Sequence, residues 1–475
     1  MEQEYYLFPY ERINPGEKVI LYGIGVIGRY YLSQIELNRY CEIVAVADRK
    51  SAQYSSNLVK VIPPSEIKAY HYDKVVITVK NRVEVAKIQK ELVEKYDIPE
   101  DKIIVASSES VPSLGKSQMA CFTVKKDVIS SQNKISIAMI ISGGLGDQII
   151  NKYFLDAMLT YANMEKCVVD LYVSPARYKY AKSIFGDKKN INEIFSRTVY
   201  PQELSDYDVV FRYDYVLKFY QINLDKICSL DHRFYIFLKK AKDYVQQYGL
   251  DADNPLHRNI HFSRCRVLGY NCYTNYNELF DYTIDNKVEI TFDQKLEAEF
   301  KNINLGRYIT INYGWGGHRD SCPEKIPNKV WEIESYSEFN RLFHAAFPDI
   351  KIVQIGIQGG AKIDNVDYYL FGKDLELVKY VLRDSILHID CEGGLVHLAT
   401  QIGTKCAVLF GPTPVHYFGY QENINMRAGK CCDCCYLYND FSVCARGLKH
   451  PECMKSITPQ MVIEKVKEYI NNDRL

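Results

Sequence analysis

Three times along this chain a continuous apolar strand runs into a glycine-rich turn and then into a helix, and this alternation limits the possible folds more than any other feature. The first instance is KVILYG, leading through Gly23-Ile-Gly25-Val-Ile-Gly28 into the helical pattern VIGRYYLSQIEL, with the strand EIVAVAD after it. The second is KISIAMII, starting at Lys134 and leading into Ser142-Gly143-Gly144-Leu145-Gly146-Asp147. The third runs through YITINYG, KIVQIG, SILHID and CAVLFG, with Glu392-Gly393-Gly394-Leu395-Val396-His397 following the strand that ends at Asp390. Strands that alternate with helices predict parallel sheets. Strands this uninterrupted in apolar residues predict sheets covered by helices on both faces. The expected class is therefore α/β.

At 475 residues the chain exceeds what one hydrophobic core organises. The pattern predicts a Rossmann-like domain over 1–115 and a linker over 116–133, where Ser, Lys and Pro replace periodicity. Two further α/β domains follow, over 134–300 and 301–475. The tyrosine-rich stretch from Tyr178 to Phe300 is helical in places, and pattern alone does not order its elements.

Lys plus Arg and Asp plus Glu balance at 59 each, and the charges are interspersed, so neither a nucleic-acid surface nor a polybasic membrane patch is expected. The first residues, MEQEYYLFPYERINPGEK, lack the basic-then-apolar order of a secretory signal, and no apolar run approaches the roughly 18 residues that span a bilayer. A cytoplasmic protein without a transmembrane segment is expected. Its partners should be small molecules or proteins, with homo-oligomers left open.

Each turn has a chemical reading and a structural one. Gly23, Gly25 and Gly28 follow a strand and open a helix, and Asp48 ends the next strand, which is the context of a dinucleotide fingerprint. Pyrophosphate would sit on the helix N-terminus and ribose hydroxyls on the Asp48 carboxylate, with NAD or another nucleotide as ligand. The same glycines serve close strand-to-helix packing equally well. Gly143, Gly144 and Gly146 would bring backbone close to a ligand at the carboxyl end of a sheet, with Asp147 facing the cleft as a base or capping its helix. Glu392, Gly393 and Gly394 offer free amides at a helix start that suit a diphosphate, and the neighbouring loop LFGPTP, with Gly411 and Thr413, lies on the same sheet edge. By the structural reading Glu392 is a cap and His397 an interior histidine.

Taken together, GGLGD, Lys329-Val-Trp331, EGGLVHLA, LFGPTP and the cysteine cluster ending Cys453-Met454 resemble glycosyltransferase family 9, which contains the heptosyltransferases. The likeness in order and spacing extends from Lys134 to the C-terminus. It implies a GT-B fold, with two facing Rossmann-like domains, acceptor bound by 134–300 and sugar nucleotide by 301–475. The added N-terminal Rossmann-like domain resembles those that accompany sugar-modifying enzymes. The resemblance further implies an inverting transfer with no catalytic metal. By that resemblance Asp147 is the general base, on an acceptor-side loop of Gly143, Gly144 and Gly146. Lys329 meets the donor phosphates, and Gly393, Gly394, His397, Gly411 and Thr413 line the donor site. Glu392 stands where many members have Asp.

EGGLVHLA and HYFGYQENINM resemble the autotransporter heptosyltransferase subgroup, which implies ADP-heptose as donor and a protein acceptor; a glycan or lipid acceptor is equally compatible with the fold. The competing classes are a non-catalytic nucleotide- or carbohydrate-binding protein and an NAD-dependent sugar-nucleotide oxidoreductase run by the first domain. Retention of Asp147 argues against the former, and the lack of an evident Tyr-x-x-x-Lys pair against the latter.

Of 15 cysteines, Cys431, Cys432, Cys434, Cys435, Cys444 and Cys453 cluster near the C-terminus. Cys431, Cys434, Cys444 and Cys453 could close a knuckle over 431–453 on one structural zinc or iron, since both accept four thiolates. Cys432 and Cys435 keep the same separation, and it is the family resemblance that favours Cys431 and Cys434. Buried thiols or a redox pair are the alternatives.

Overall fold

The computed structural model describes residues 6, 8–56, 59–106, 123–124, 133–186, 190–250, 257–281, 287–313, 328–427, 444, 446, 448 and 451–472. They fall into two compact units, Met1–Gln132 with Thr198–Val210, and Asn133–Arg197 with Phe211–Leu475.

In the first unit the strands are β1 (Lys18–Tyr22), β2 (Glu42–Ala47), β3 (Tyr54–Ser55), β4 (Val61–Ile62), β5 (Lys74–Ile77), β6 (Ile103–Val105) and β7 (Thr123–Val124). Five of them form a parallel sheet in the order β4-β2-β1-β5-β6, and β3 pairs antiparallel with β7. Alternation along β1 explains its unbroken apolar run. Val19 and Leu21 pack into one core with Ile27, Tyr31, Leu32 and Ile35 of the helix Val26–Asn38. Ile20 and Tyr22 face the other core with Val85, Ile88 and Leu92 of the helix Arg82–Glu94. A strand whose two faces are both covered has no polar side.

Two more sheets lie in the second unit, except for Val209 and Val210 at the start of one strand. The strands β8 (Ile135–Ile141), β9 (Cys167–Val173), β10 (Ile191–Ser196), β11 (Val209–Tyr213) and β12 (Leu217–Ile222) take the order β10-β9-β8-β11-β12. These strands and the helices His232–Gln247 and His257–Leu268 order much of the tyrosine-rich stretch. Next come β13 (Tyr308–Asn312), β14 (Lys351–Gly356), β15 (Tyr368–Phe371), β16 (His388–Cys391), β17 (Cys406–Phe410) and β18 (Ile424–Arg427). They form a parallel sheet in the order β15-β14-β13-β16-β17-β18. All three main sheets thus step outward from their first strand and then reverse to its other side, the Rossmann order.

One core of the second unit joins Trp331, the helix Ile333–Ala346 and the last helix, Pro459–Asn472, with the Trp331 indole donating to the Ile457 carbonyl at 2.8 Å. The chain is α/β, with two Rossmann-ordered sheets in one unit in the GT-B manner and a third in the N-terminal unit. Among the described residues no helix is long and apolar enough to cross a membrane.

Candidate functional site

Ligands of open α/β sheets bind where the strand order reverses, beyond the carboxyl ends of the strands. In the second unit those places lie beside β8 and β13, and the turns after β8 and β16 touch each other. The helix Leu145–Leu159 starts at the first turn and the helix Gly394–Gln401 at the second. A Cβ on Gly394 would stand 2.9 Å from the Gly146 amide nitrogen, and one on Gly146 would stand 2.7 Å from Cδ2 of His397. Only glycines allow the two turns this approach. Gly143 has φ +83°, and a Cβ there would meet the Asp147 carboxylate at 2.2 Å.

Asp147 lies in the first turn of its helix and is half-buried. Its Oδ2 accepts from the Gly144 amide at 2.5 Å, so it does cap the helix. Its Oδ1 accepts from the Tyr215 hydroxyl at 2.6 Å. Tyr215 sits in the turn 214–216 between β11 and β12, and nothing in its local sequence announces the contact.

Across the turn contact, Glu392 is buried between two cationic or polar partners. Its Oε2 receives Lys329 Nζ at 3.3 Å, and its Oε1 lies 3.7 Å from His397 Nε2. Burial would raise its pKa, but the Lys329 ammonium and the His397 ring outweigh that and hold the carboxyl at about 2. His397 Nδ1 lies 2.6 Å from the Tyr420 hydroxyl and 3.3 Å from that of Tyr273, and the two hydroxyls also bond to each other. Burial pushes both phenols well above their ordinary pKa, so they remain donors. With Tyr420 donating to Nδ1, the ring proton is assigned to Nε2, toward Glu392. Tyr273 and Tyr420 are further members of the site; Tyr420 lies in the HYFGYQENINM string, whereas Tyr273 carries no sequence signal.

Beside this cluster, burial pushes the Cys391 thiol up to about 12, which keeps it a neutral partner of the Trp331 amide at 3.2 Å. Gly393 is the N-cap of its helix, and a Cβ there would meet nothing closer than 3.7 Å, leaving that approach open. Gly411 differs, because a Cβ would lie 2.3 Å from Met454 Sδ and 3.4 Å from Cys453 Sγ. Its missing side chain serves packing. Thr413 is buried, and its hydroxyl has no hydrogen-bond partner among the described residues.

In the first unit, Gly28 packs against the Gly23 carbonyl, which a Cβ would approach to 2.1 Å, and Gly23 has φ +112°. Gly25 caps the helix in open space. The Asp48 carboxylate is engaged locally, accepting from the Ile24 amide at 3.0 Å and the Lys50 amide at 2.8 Å. Of the cysteine ligand set, Cys431 and Cys434 lie outside the described residues; Cys444 is half-buried and Cys453 buried. Among the described residues no three His, Cys, Asp or Glu side chains are grouped to hold a metal ion.

Residues 16–104 match the family model described as C2185-like, N-terminal. No curated protein matches the chain. Among solved structures it is similar to the ADP-heptose lipopolysaccharide heptosyltransferase II of E. coli, at 11% identity and TM-score 0.45 over 72% of this chain and 100% of that one. A glycosyl transferase family 9 protein from Veillonella parvula DSM 2008 is 14% identical, with TM-score 0.45 over 73% and 99%. The iron-containing dodecameric glycosyltransferase TibC of enterotoxigenic E. coli H10407 is 12% identical, with TM-score 0.46 over 77% and 89%.

Proposed function

We propose that the protein is an inverting glycosyltransferase that takes its sugar from a nucleotide donor, ADP-heptose first among the donors to test, and passes it to a protein, glycan or lipid hydroxyl. One observation supports the reading: the close approach of Gly146 and Gly394 brings the turn that carries Asp147 against the start of the helix Gly394–Gln401. A base and an anion-binding helix terminus then share one place. Asp147 takes the proton of the acceptor hydroxyl as that oxygen bonds to the anomeric carbon. The bond from the anomeric carbon to the phosphate oxygen breaks, and the nucleoside diphosphate leaves with the electron pair. Lys329 offsets the charge that grows on the departing phosphate, and the helix amides add to it. The four cysteines hold a structural zinc or iron in this reading, and the reaction runs in the cytoplasm.

The test is a screen of nucleotide sugars, ADP-heptose, UDP-glucose and UDP-N-acetylglucosamine among them, for nucleotide release by the purified protein. Asp147→Asn should lower turnover about 100- to 10,000-fold with donor affinity nearly intact. Turnover close to wild type would assign the proton to another group. Release from no nucleotide sugar would favour a binding protein that merely keeps the fold.

A further inference from the structure

Tyr215 has φ +66°, a left-handed backbone that a bulky side chain rarely adopts. Glycine or asparagine would suit that turn better, so something other than the turn needs a tyrosine here. Its ring lies edge-on to Phe418 at 5.7 Å and tilted against Tyr417 at 6.1 Å, both just beyond the LFGPTP loop. Its carbonyl accepts from Asn275 Nδ2 at 3.2 Å, and buried Asn275 takes the Tyr213 hydroxyl on its own oxygen at 2.9 Å. Strained backbone persists where its surroundings over-determine it, and such residues gather at functional sites. Packing accounts for the ring. The hydroxyl ends on Asp147 Oδ1.

We propose that Tyr215 is a positioning residue for glycosyl transfer: its hydroxyl and the Gly144 amide grip the two Asp147 oxygens, fixing the carboxylate plane so that a remaining lone pair faces the acceptor hydroxyl. The proposal rests on Asp147 being the base. A carboxylate held by one donor can turn about its Cβ–Cγ bond; held by two, it cannot. Because the Tyr215 ring also packs beside the donor-side loop, the grip is set by the same contacts that join the two sheets of the second unit.

The experiment is steady-state nucleotide release from ADP-heptose and the UDP-sugars by the full-length protein, with water as the hydroxyl acceptor that Asp147 deprotonates and the sugar released by hydrolysis, comparing wild type, Tyr215→Phe, Tyr215→Asn and Asp147→Asn. Losing one hydrogen bond to a charged group should lower kcat about tenfold in Tyr215→Phe, with donor KM unchanged. Tyr215→Asn, which tolerates the left-handed turn, should lose the same factor, and this keeps the test meaningful if the phenylalanine variant folds poorly. Unchanged kcat in both, or a raised donor KM with kcat intact, would overturn the positioning role while Asp147→Asn stays inactive. If Asp147→Asn keeps its turnover, the base reading falls and this role falls with it. If wild type releases nucleotide from none of the sugars, the transferase reading itself is lost.

Discussion

Gly146 lies so close to His397 that a single added methyl group would stand 2.7 Å from the imidazole, although the two residues lie on helices that follow strands of different sheets. His397 cannot step aside, because Tyr420, Tyr273 and Glu392 surround its ring. In Gly146→Ala, helix propensity favours alanine by about 1 kcal/mol, whereas overpacking of a fixed ring costs about 1–3 kcal/mol. Overpacking should win. A lower melting temperature together with lost turnover is expected, and a stabilised, active variant would show that the turns are not held in contact.

Glu392 carries a pH dependence with a definite sign. Its folded-state pKa of about 2 lies below the ordinary 4.5, so the ionised pair stabilises the fold above about pH 4.5, and the contribution is lost as pH falls toward 2. The contribution at neutral pH is of order 3 kcal/mol. Urea unfolding should find Glu392→Gln less stable than wild type at pH 7, with the gap closing between pH 4.5 and 2. A gap that does not vary with pH would mean that Glu392 is not held ionised.

A mutant cycle separates the pairing of Lys329 with Glu392 from the role proposed for it at the donor phosphate. Lys329→Ala leaves the Glu392 carboxylate buried without its ammonium, at a cost of about 3–5 kcal/mol. Lys329→Ala with Glu392→Gln removes both charges and should recover much of that stability. Donor kinetics should stay impaired in both variants, because neither offers a cation to the leaving phosphate. Recovery of donor use along with stability would make Lys329 a purely structural residue.

Much of the frame was legible because it rests on local periodicity. The run KVILY reads as a strand covered on both faces, and its alternate residues do enter two different cores. The glycine turns were legible for the same reason, since φ above zero and close backbone approach favour the same residue. What escaped depends on distance along the chain. The contact of Tyr215 with Asp147 spans 68 residues, and in a chain of 39 tyrosines no composition signal marks one of them. Gly411 meets Met454 across the sheet edge, a neighbour that the local string LFGPTP cannot reveal. The strands Val61–Ile62 and Thr123–Val124 are too short for a period to show.

Arg29 and Glu203 form a buried ion pair inside the first unit, with side chains only 2% and 0% exposed. Arg29 also donates to the Ile24 carbonyl at 2.8 Å and lies over the Tyr200 ring at 4.9 Å. Removing one partner leaves a buried charge, so Glu203→Ala should cost about 3–5 kcal/mol by chemical denaturation. A cost below about 1 kcal/mol would place the pair in the class of solvated surface bridges. For the same reason a chain cut before residue 107 loses Arg29, keeps Glu203, and should be less soluble than the full chain.

The cysteines give the last prediction. Cys453 is buried in the core that contains Trp331 and Met454, so replacing it would disturb packing as well as any metal. Cys444 is half-buried and lies outside that core, which makes it the cleaner probe. Four thiolates complete a tetrahedral shell and leave no open position, so the ion would be structural. Protein purified without chelator should contain about one zinc or iron per chain, and Cys444→Ser should lose it together with several degrees of melting temperature. Cys432→Ser and Cys435→Ser should keep the metal if Cys431 and Cys434 are the ligands, and lose it if the register is shifted by one. Metal-free wild-type protein, with a melting temperature that Cys444→Ser leaves unchanged, would reduce the cluster to ordinary thiols.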